Sequence, residues 1–171
     1  SVRRADEGHW HAGGVRFAAF TDNARCAVQL VDEAQEVLRT LELEPSGEGY
    51  FELLTTEAKS GSLYFFVVGE QRLPDPYARY LPQGVHGPAQ VTTTDYAFQH
   101  LPPARPLREQ VIYELHIGTF TPQGTFDAAR LRLPALVELG ITTVELMPVA
   151  AFAGERGWGY DGVALFAPHA A

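Results

Sequence analysis

The chain has 171 residues, 46% of them hydrophobic and 20% charged, with a formal net charge of −8. That composition suits a globular protein with a real core and argues against disorder. The negative balance matches a phosphate backbone poorly, so no nucleic-acid partner is expected, while neutral ligands such as sugars carry no such penalty. A single cysteine, Cys26, excludes an intrachain disulfide and, within Cys26-Ala27-Val28, reads as a buried strand residue. With no signal peptide and no long apolar span, the expectation is no membrane and a cytoplasmic location.

The first hundred residues read as strands and turns. Val15 to Phe20 forms a strand, followed by the turn Thr21-Asp22-Asn23 and by the strand Val28 to Val31. Leu41 and Leu43 alternate with Thr40, Glu42 and Glu44, the period of a half-buried strand. Gly47-Glu48-Gly49 turns the chain into a strand from Tyr50 to Leu54. Leu63-Tyr64-Phe65-Phe66-Val67-Val68 is aromatic and β-branched enough for a central strand, and Gly69-Glu70 closes a hairpin onto Gln71-Arg72-Leu73. This spacing predicts an antiparallel β-sandwich, with Phe65, Val67 and Tyr50 among its inward or cross-sheet contacts.

Pro74, Pro76, Pro82 and Pro88 then punctuate a stretch of little periodicity, and Pro102, Pro103 and Pro106 make a stiff connector. The domain boundary is expected there: a sandwich over 1–100, a connector over 101–108 and a second domain over 109–171. Val111 to Gly118 reads as a strand, and Asp127 as a helix N-cap. Ala129, Leu133, Leu136, Val137 and Gly140 share one helical face, Pro134 kinks or restarts the helix, and Gly140 stops it. Ile141 to Pro148 is a second strand, apolar enough to be parallel and buried. Strand, helix and strand make a βαβ unit. A (β/α)8 TIM barrel needs about 250 residues, so the second domain reads as the start of such a barrel, truncated.

In such a fold ligands gather at the carboxyl ends of the strands. There Arg156-Gly157-Trp158-Gly159-Tyr160-Asp161-Gly162 combines glycines that let backbone approach a ligand with two flat aromatic faces and one carboxylate. The packing alternative is that Trp158 and Tyr160 plug the loop onto the domain. Glycoside hydrolysis needs a pair of carboxyl groups, but Glu114 and Glu145 lie inside strands, Asp127 reads as a cap and Glu155 as solvated. Asp161 alone is suitably placed, so no catalytic residue is assigned. His9, His11, His86, His100, His116 and His169 show no metal-ligand spacing, Gly13-Gly14 is a lone turn signal, and no cofactor is expected. His116, on a strand, reads as a satisfied core histidine.

Val111 to Thr121, Gly124-Thr125-Phe126-Asp127, the helix ending Leu139-Gly140, Val144 to Pro148, and Trp158 to Gly162 followed by Phe166-Ala167-Pro168 together resemble the α-amylase family of glucan enzymes. Pro74-Asp75-Pro76-Tyr77-Ala78-Arg79-Tyr80-Leu81-Pro82-Gln83-Gly84-Val85-His86-Gly87 resembles the maltooligosyltrehalose trehalohydrolase branch, of which branching and debranching enzymes share only the Asp-Pro-Tyr-Ala core. The resemblance implies an early-set, immunoglobulin-like β-sandwich similar to a glycogen-binding module, placed before the barrel. It implies an α-glucan, maltooligosyltrehalose, as substrate of the complete protein, cleaved with retention next to its terminal trehalose by an Asp nucleophile and a Glu acid/base that this stretch lacks. By the same resemblance Tyr160 stacks on the sugar at the cleavage site, with Trp158 and Asp161 flanking it. The alternatives are a 1,4-α-glucan branching enzyme and a non-catalytic carbohydrate-binding module.

Overall fold

The computed structural model describes residues 2–4, 14–93, 96–99 and 104–170. The expectations for His9, His11, His100, Gly13, Pro102 and Pro103 lie outside them. By internal contacts the chain divides into two units: residues 1–94 with 150–155 and 161–171, and residues 95–149 with 156–160.

Two antiparallel sheets make up most of the first unit. One has the order β1 (Val2–Arg4), β2 (Val15–Phe20), β6 (Tyr50–Thr55) and β5 (Glu44–Gly47). The other has the order β4 (Val37–Glu42), β3 (Cys26–Val31), β7 (Leu63–Val68) and β8 (Gln71–Leu73), with β9 (Ala89–Gln90) also on β7. The chain changes sheet at Leu43, whose backbone N–H donates to the Cys26 carbonyl at 2.9 Å and whose side chain is buried. The 41–44 alternation is therefore the seam between β4 and β5 rather than one strand.

Val15, Phe17 and Phe51 from the first sheet and Cys26, Val28, Leu30, Tyr64 and Phe66 from the second form one shared core. Side chains alternate across a strand, so the register that pairs Val28 with Phe66 and Leu30 with Tyr64 sends Phe65 to the opposite face. Phe65 is buried there with Val31 and Leu63, under the Arg72 guanidinium at 4.2 Å from its ring. Of the three expected contacts, Phe65 is buried in this outer cluster, Val67 is half-buried, and Tyr50 is exposed at the surface, tilted against Phe20.

The proline-rich stretch closes this core. Ala78, Leu81, Val85, Ala89 and Val91 all join it. Its anchor is Asp75, 1% exposed. One Asp75 carboxylate oxygen accepts the Tyr64 hydroxyl at 2.8 Å, and the other accepts the Tyr77 backbone N–H at 2.8 Å. Burial, and then the Asp75 charge beside it, push the Tyr64 hydroxyl far above the ordinary phenol range. Two late strands, β12 (Ala150–Ala151) and β13 (Ala164–Pro168), pair antiparallel, and their Ala151, Ala164 and Ala167 join the same core.

The second unit begins with a 3-10 turn, Leu107–Glu109. The strand β10 (Ile112–Leu115) follows, then α1 (Ile117–Phe120), α2 (Phe126–Arg130), α3 (Leu133–Glu138) and β11 (Thr143–Leu146). β10 and β11 are parallel, with Ile112 opposite Thr143 and Leu115 opposite Leu146, as their sequences predict. The expected strand over 111–118 stops at Leu115, and His116 becomes the N-cap of a single helical turn.

The helix start differs from the sequence expectation. The N-cap of α2 is Thr125, whose hydroxyl accepts the Ala128 backbone N–H at 3.2 Å, whereas Asp127 sits inside the first turn and pairs with Arg130. Of the two outcomes expected at Pro134, a kink or a restart, the structure has the restart: Pro134 has no N–H to give and is accommodated in the first turn of α3. Gly140 ends α3 at φ +95, a conformation glycine adopts without a Cβ penalty.

Candidate functional site

β10 and β11 run in the same direction, so their carboxyl ends lie side by side. Beyond the strands the pairing continues by one bond, the Met147 N–H donating to the Leu115 carbonyl at 2.9 Å. Leu115 is buried and ends the strand. The next residue, His116, turns its ring to the segment 156–160: Nε2 lies 2.9 Å from the Gly157 carbonyl oxygen. The ring also meets Trp158 edge-on, at 6.4 Å between centroids and 67° between planes.

The same segment is held a second time at the end of β11. Gly159 is buried with φ +92, and a Cβ on it would stand 2.0 Å from the Pro148 carbonyl oxygen. No side chain fits there, so glycine is required both by conformation and by space. Gly118 and Gly124 approach less closely: a Cβ on Gly124 would lie 3.1 Å from the Gly118 carbonyl oxygen, a tight contact, and its φ of +65 favours glycine.

Between these two fixed points the segment presents its aromatic side chains outward. Trp158 is 73% exposed and Tyr160 72%. Trp158 and Tyr160 fall in the second unit, while the exposed Asp161 falls in the first. Glu114 and Glu145 are register partners inside β10 and β11, and both are exposed. Among the described residues no group of three or more His, Cys, Asp or Glu side chains is arranged to hold a metal ion. An open cleft on the first unit is lined by Arg79, Tyr80, Thr92, Thr93 and Phe166, and includes none of Trp158, Tyr160 or Asp161.

Two residues carry more than their sequence context signals. Asp75, the first residue of the Asp-Pro-Tyr-Ala segment, is a buried acceptor that organises the first unit. His116 was expected as a satisfied core histidine, but only one ring nitrogen is satisfied. Its Nδ1 is buried with no hydrogen-bond partner. The alternation of Glu114 and His116 along a strand could have raised the question of what the histidine meets, but not answered it, because its partner lies 41 positions away.

No family model matches the chain. A solved Salmonella typhimurium structure, named provisionally as an alpha amylase, superposes with a TM-score of 0.83 at 39% identity, covering 94% of this chain and 27% of that one. A 1,4-alpha-glucan branching enzyme of Kitasatospora aureofaciens is 29% identical, covering 94% of this chain and 23% of that protein. The chain is thus similar, in sequence and in fold, to glucan enzymes of the α-amylase family. Within that class it resembles the malto-oligosyltrehalose trehalohydrolases: the one from Deinococcus radiodurans is 44% identical over 160 residues, covering 92% of this chain and 26% of that protein. The chain spans about a quarter of the length of the relatives it matches.

Proposed function

We propose that the complete protein carrying this sequence hydrolyses the α-1,4-glucosidic bond next to the terminal trehalose of maltooligosyltrehalose and releases trehalose. The observation that carries this reading is the 44% identity with a malto-oligosyltrehalose trehalohydrolase, running through 92% of the chain. The reading divides the stretch into an early-set, immunoglobulin-like sandwich over 1–100, a connector over 101–108, and the start of a (β/α)8 catalytic barrel from residue 109. It places the protein in the cytoplasm, in keeping with one buried thiol and, among the described residues, no helix long and apolar enough to cross a membrane.

In this reading the outward rings of the 156–160 segment meet an α-glucan. Tyr160 offers a flat face to the sugar at the cleavage site, Trp158 a second face beside it, and Asp161 accepts hydrogen bonds from sugar hydroxyls. Stacking of this kind binds ground state and transition state nearly alike, so it orients substrate rather than accelerating the bond cleavage. The chemistry falls to a carboxylate nucleophile and a carboxylic acid about 5–5.5 Å apart, which give retention and which come from outside this stretch.

The test is an assay of the complete protein on maltooligosyltrehalose. Release of free trehalose is expected. New α-1,6 branches on amylose, without trehalose, would replace this reading with the branching enzyme. Glycogen binding by residues 1–105 with no turnover by the complete protein would replace it with a carbohydrate-binding module. Residues 1–171 alone, free of longer contaminants, are expected to release no trehalose.

A further inference from the structure

His116 is held by one hydrogen bond and confined by one glycine. A carbonyl oxygen can only accept, so the 2.9 Å contact with Gly157 requires the proton to be on Nε2. In the neutral ring Nδ1 is then a bare acceptor, and it is buried without a partner. Gly118 lies against that side: a Cβ there would stand 3.1 Å from Cε1 and 3.4 Å from Nδ1. A Cβ at 118 would press on the imidazole edge, tightly at Cε1 and at ordinary contact distance from Nδ1, while the one hydrogen bond of the ring is aimed at the 156–160 segment. A core histidine needs no such aim, since packing alone would hold it.

We propose that His116 is the positioning residue for this segment: through Gly157 it fixes where Trp158 and Tyr160 present their rings. This rests on the reading of those rings as glucan-facing. Gly159, pressed against Pro148, fixes the other end. Loss of the His116 bond frees the Arg156–Gly157 end while leaving the Gly159 end in place. The consequence is loosened rings rather than an unfolded domain, so affinity for glucan falls more than the rate of the bound complex.

The experiment uses the complete protein and three forms of it: wild type, His116→Phe and His116→Gln. Phenylalanine keeps a ring but has no donor, whereas the glutamine amide can return an N–H to the Gly157 carbonyl. Arg156 is exposed, so trypsin cleavage of the Arg156–Gly157 bond, followed by mass spectrometry, reports opening at this point. A lost hydrogen bond corresponds to roughly a tenfold change in such an equilibrium. His116→Phe is expected to be cut about tenfold faster, and His116→Gln at close to the wild-type rate. Maltooligosaccharide affinity should follow the same order, with KM raised more than kcat is lowered. If His116→Phe does not fold, Gly118→Ala takes its place: it keeps the donor but crowds Cε1 and Nδ1, and should also speed the cut. Equal cleavage of wild type and the disrupted variant overturns the proposal, as does a glutamine variant cut as fast as the phenylalanine one. Faster cleavage with unchanged glucan affinity upholds the clamp and overturns the glucan reading of the loop instead.

Discussion

The two units spend their apolar residues differently. In the first, Phe17 and Val28 are fully buried, Tyr64 and Leu81 nearly so, and the buried carboxylate Asp75 is met by hydrogen-bond donors. In the second, Leu131, Val137 and Leu139 are about 70% exposed, and Leu146 and Ile112 nearly half. Leu115 and Ala129 are its buried apolar side chains among the described residues. A sandwich can close a core with its own two inner faces, whereas a βαβ unit covers one face of a two-stranded sheet and leaves the rest to neighbours. Burial therefore concentrates in the first unit, and the exposed Trp158 and Tyr160 rings belong to the second.

The sharpest way to break this contrast is to cut into the first core. Phe17 is 0% exposed and packs edge-on against Tyr64 and Phe66, at 5.1 and 6.4 Å between centroids. Phe17→Ala should cost about 3–5 kcal/mol, read as a shift of the urea midpoint at unchanged slope. A loss below about 1 kcal/mol, the size of an ordinary surface change, would mean that the sandwich core does not carry the stability.

Tyr64 sharpens the same point through pH. Its hydroxyl is raised by burial and by Asp75, while in the unfolded chain it titrates near about 10. Below that pH both states hold the proton and the contribution is complete. Above it the unfolded chain loses the proton and the folded one keeps it, so stability falls by up to about 1.4 kcal/mol per pH unit. The Cys26 thiol, raised by burial and by Glu42, acts in the same direction from a lower starting pH. In Tyr64→Phe the alkaline slope should flatten, although the variant starts less stable by about 1–3 kcal/mol because the Asp75 oxygen loses this donor. An unchanged slope in Tyr64→Phe would show that another group governs alkaline unfolding.

For the second unit the proposed glucan-facing role of Tyr160 makes kinetics the property to measure. In the complete protein, Tyr160→Ala should lower kcat/KM for maltooligosyltrehalose by about one to two orders of magnitude, the equivalent of one lost stacking face at about 1–3 kcal/mol. A ring that faces glucan carries no packing, so on that reading the melting temperature should not move. Wild-type kinetics with a lowered melting temperature would return Tyr160 to a packing role.

The sequence reveals those elements whose period reflects burial on one face. The 15–20, 63–68 and 143–146 segments are strands because β-branched and aromatic residues dominate them, and the parallel pairing of the last with 112–115 follows from the helical segment between them. It misleads where burial is two-sided. Every residue from Leu63 to Phe66 is buried, so alternation gives no inner face, and only the register shows that Phe65 packs in the outer cluster. It is silent where coverage comes from an irregular segment. Pro74 to Val91 has no period, yet it seals the first core through Leu81, Val85 and Ala89 and hangs on the Asp75–Tyr64 bond. At the candidate site, the glycines and aromatic rings of 157–160 stand out in the sequence, but the histidine that holds them does not. A hydrogen bond across 41 positions leaves no local pattern.

The smallest expected effect is also the most discriminating. Val137 lies on the apolar face of α3 and is 69% exposed. Serine and valine differ little in helix propensity, so Val137→Ser removes apolar surface that this chain does not bury. In residues 1–171 the urea midpoint should shift by no more than about 0.5 kcal/mol equivalent, and the smaller exposed apolar face should reduce aggregation. The same substitution in the complete protein measures whether anything covers α3 there. A valine that became buried would make the loss larger, about 1–3 kcal/mol for its transfer and cavity together. The difference between the two measurements, rather than either alone, reports how much of the second unit's stability comes from outside this stretch. If the chain alone already lost that much, the α3 face would be packed within it, and the contrast between a self-sufficient first unit and a dependent second one would fail.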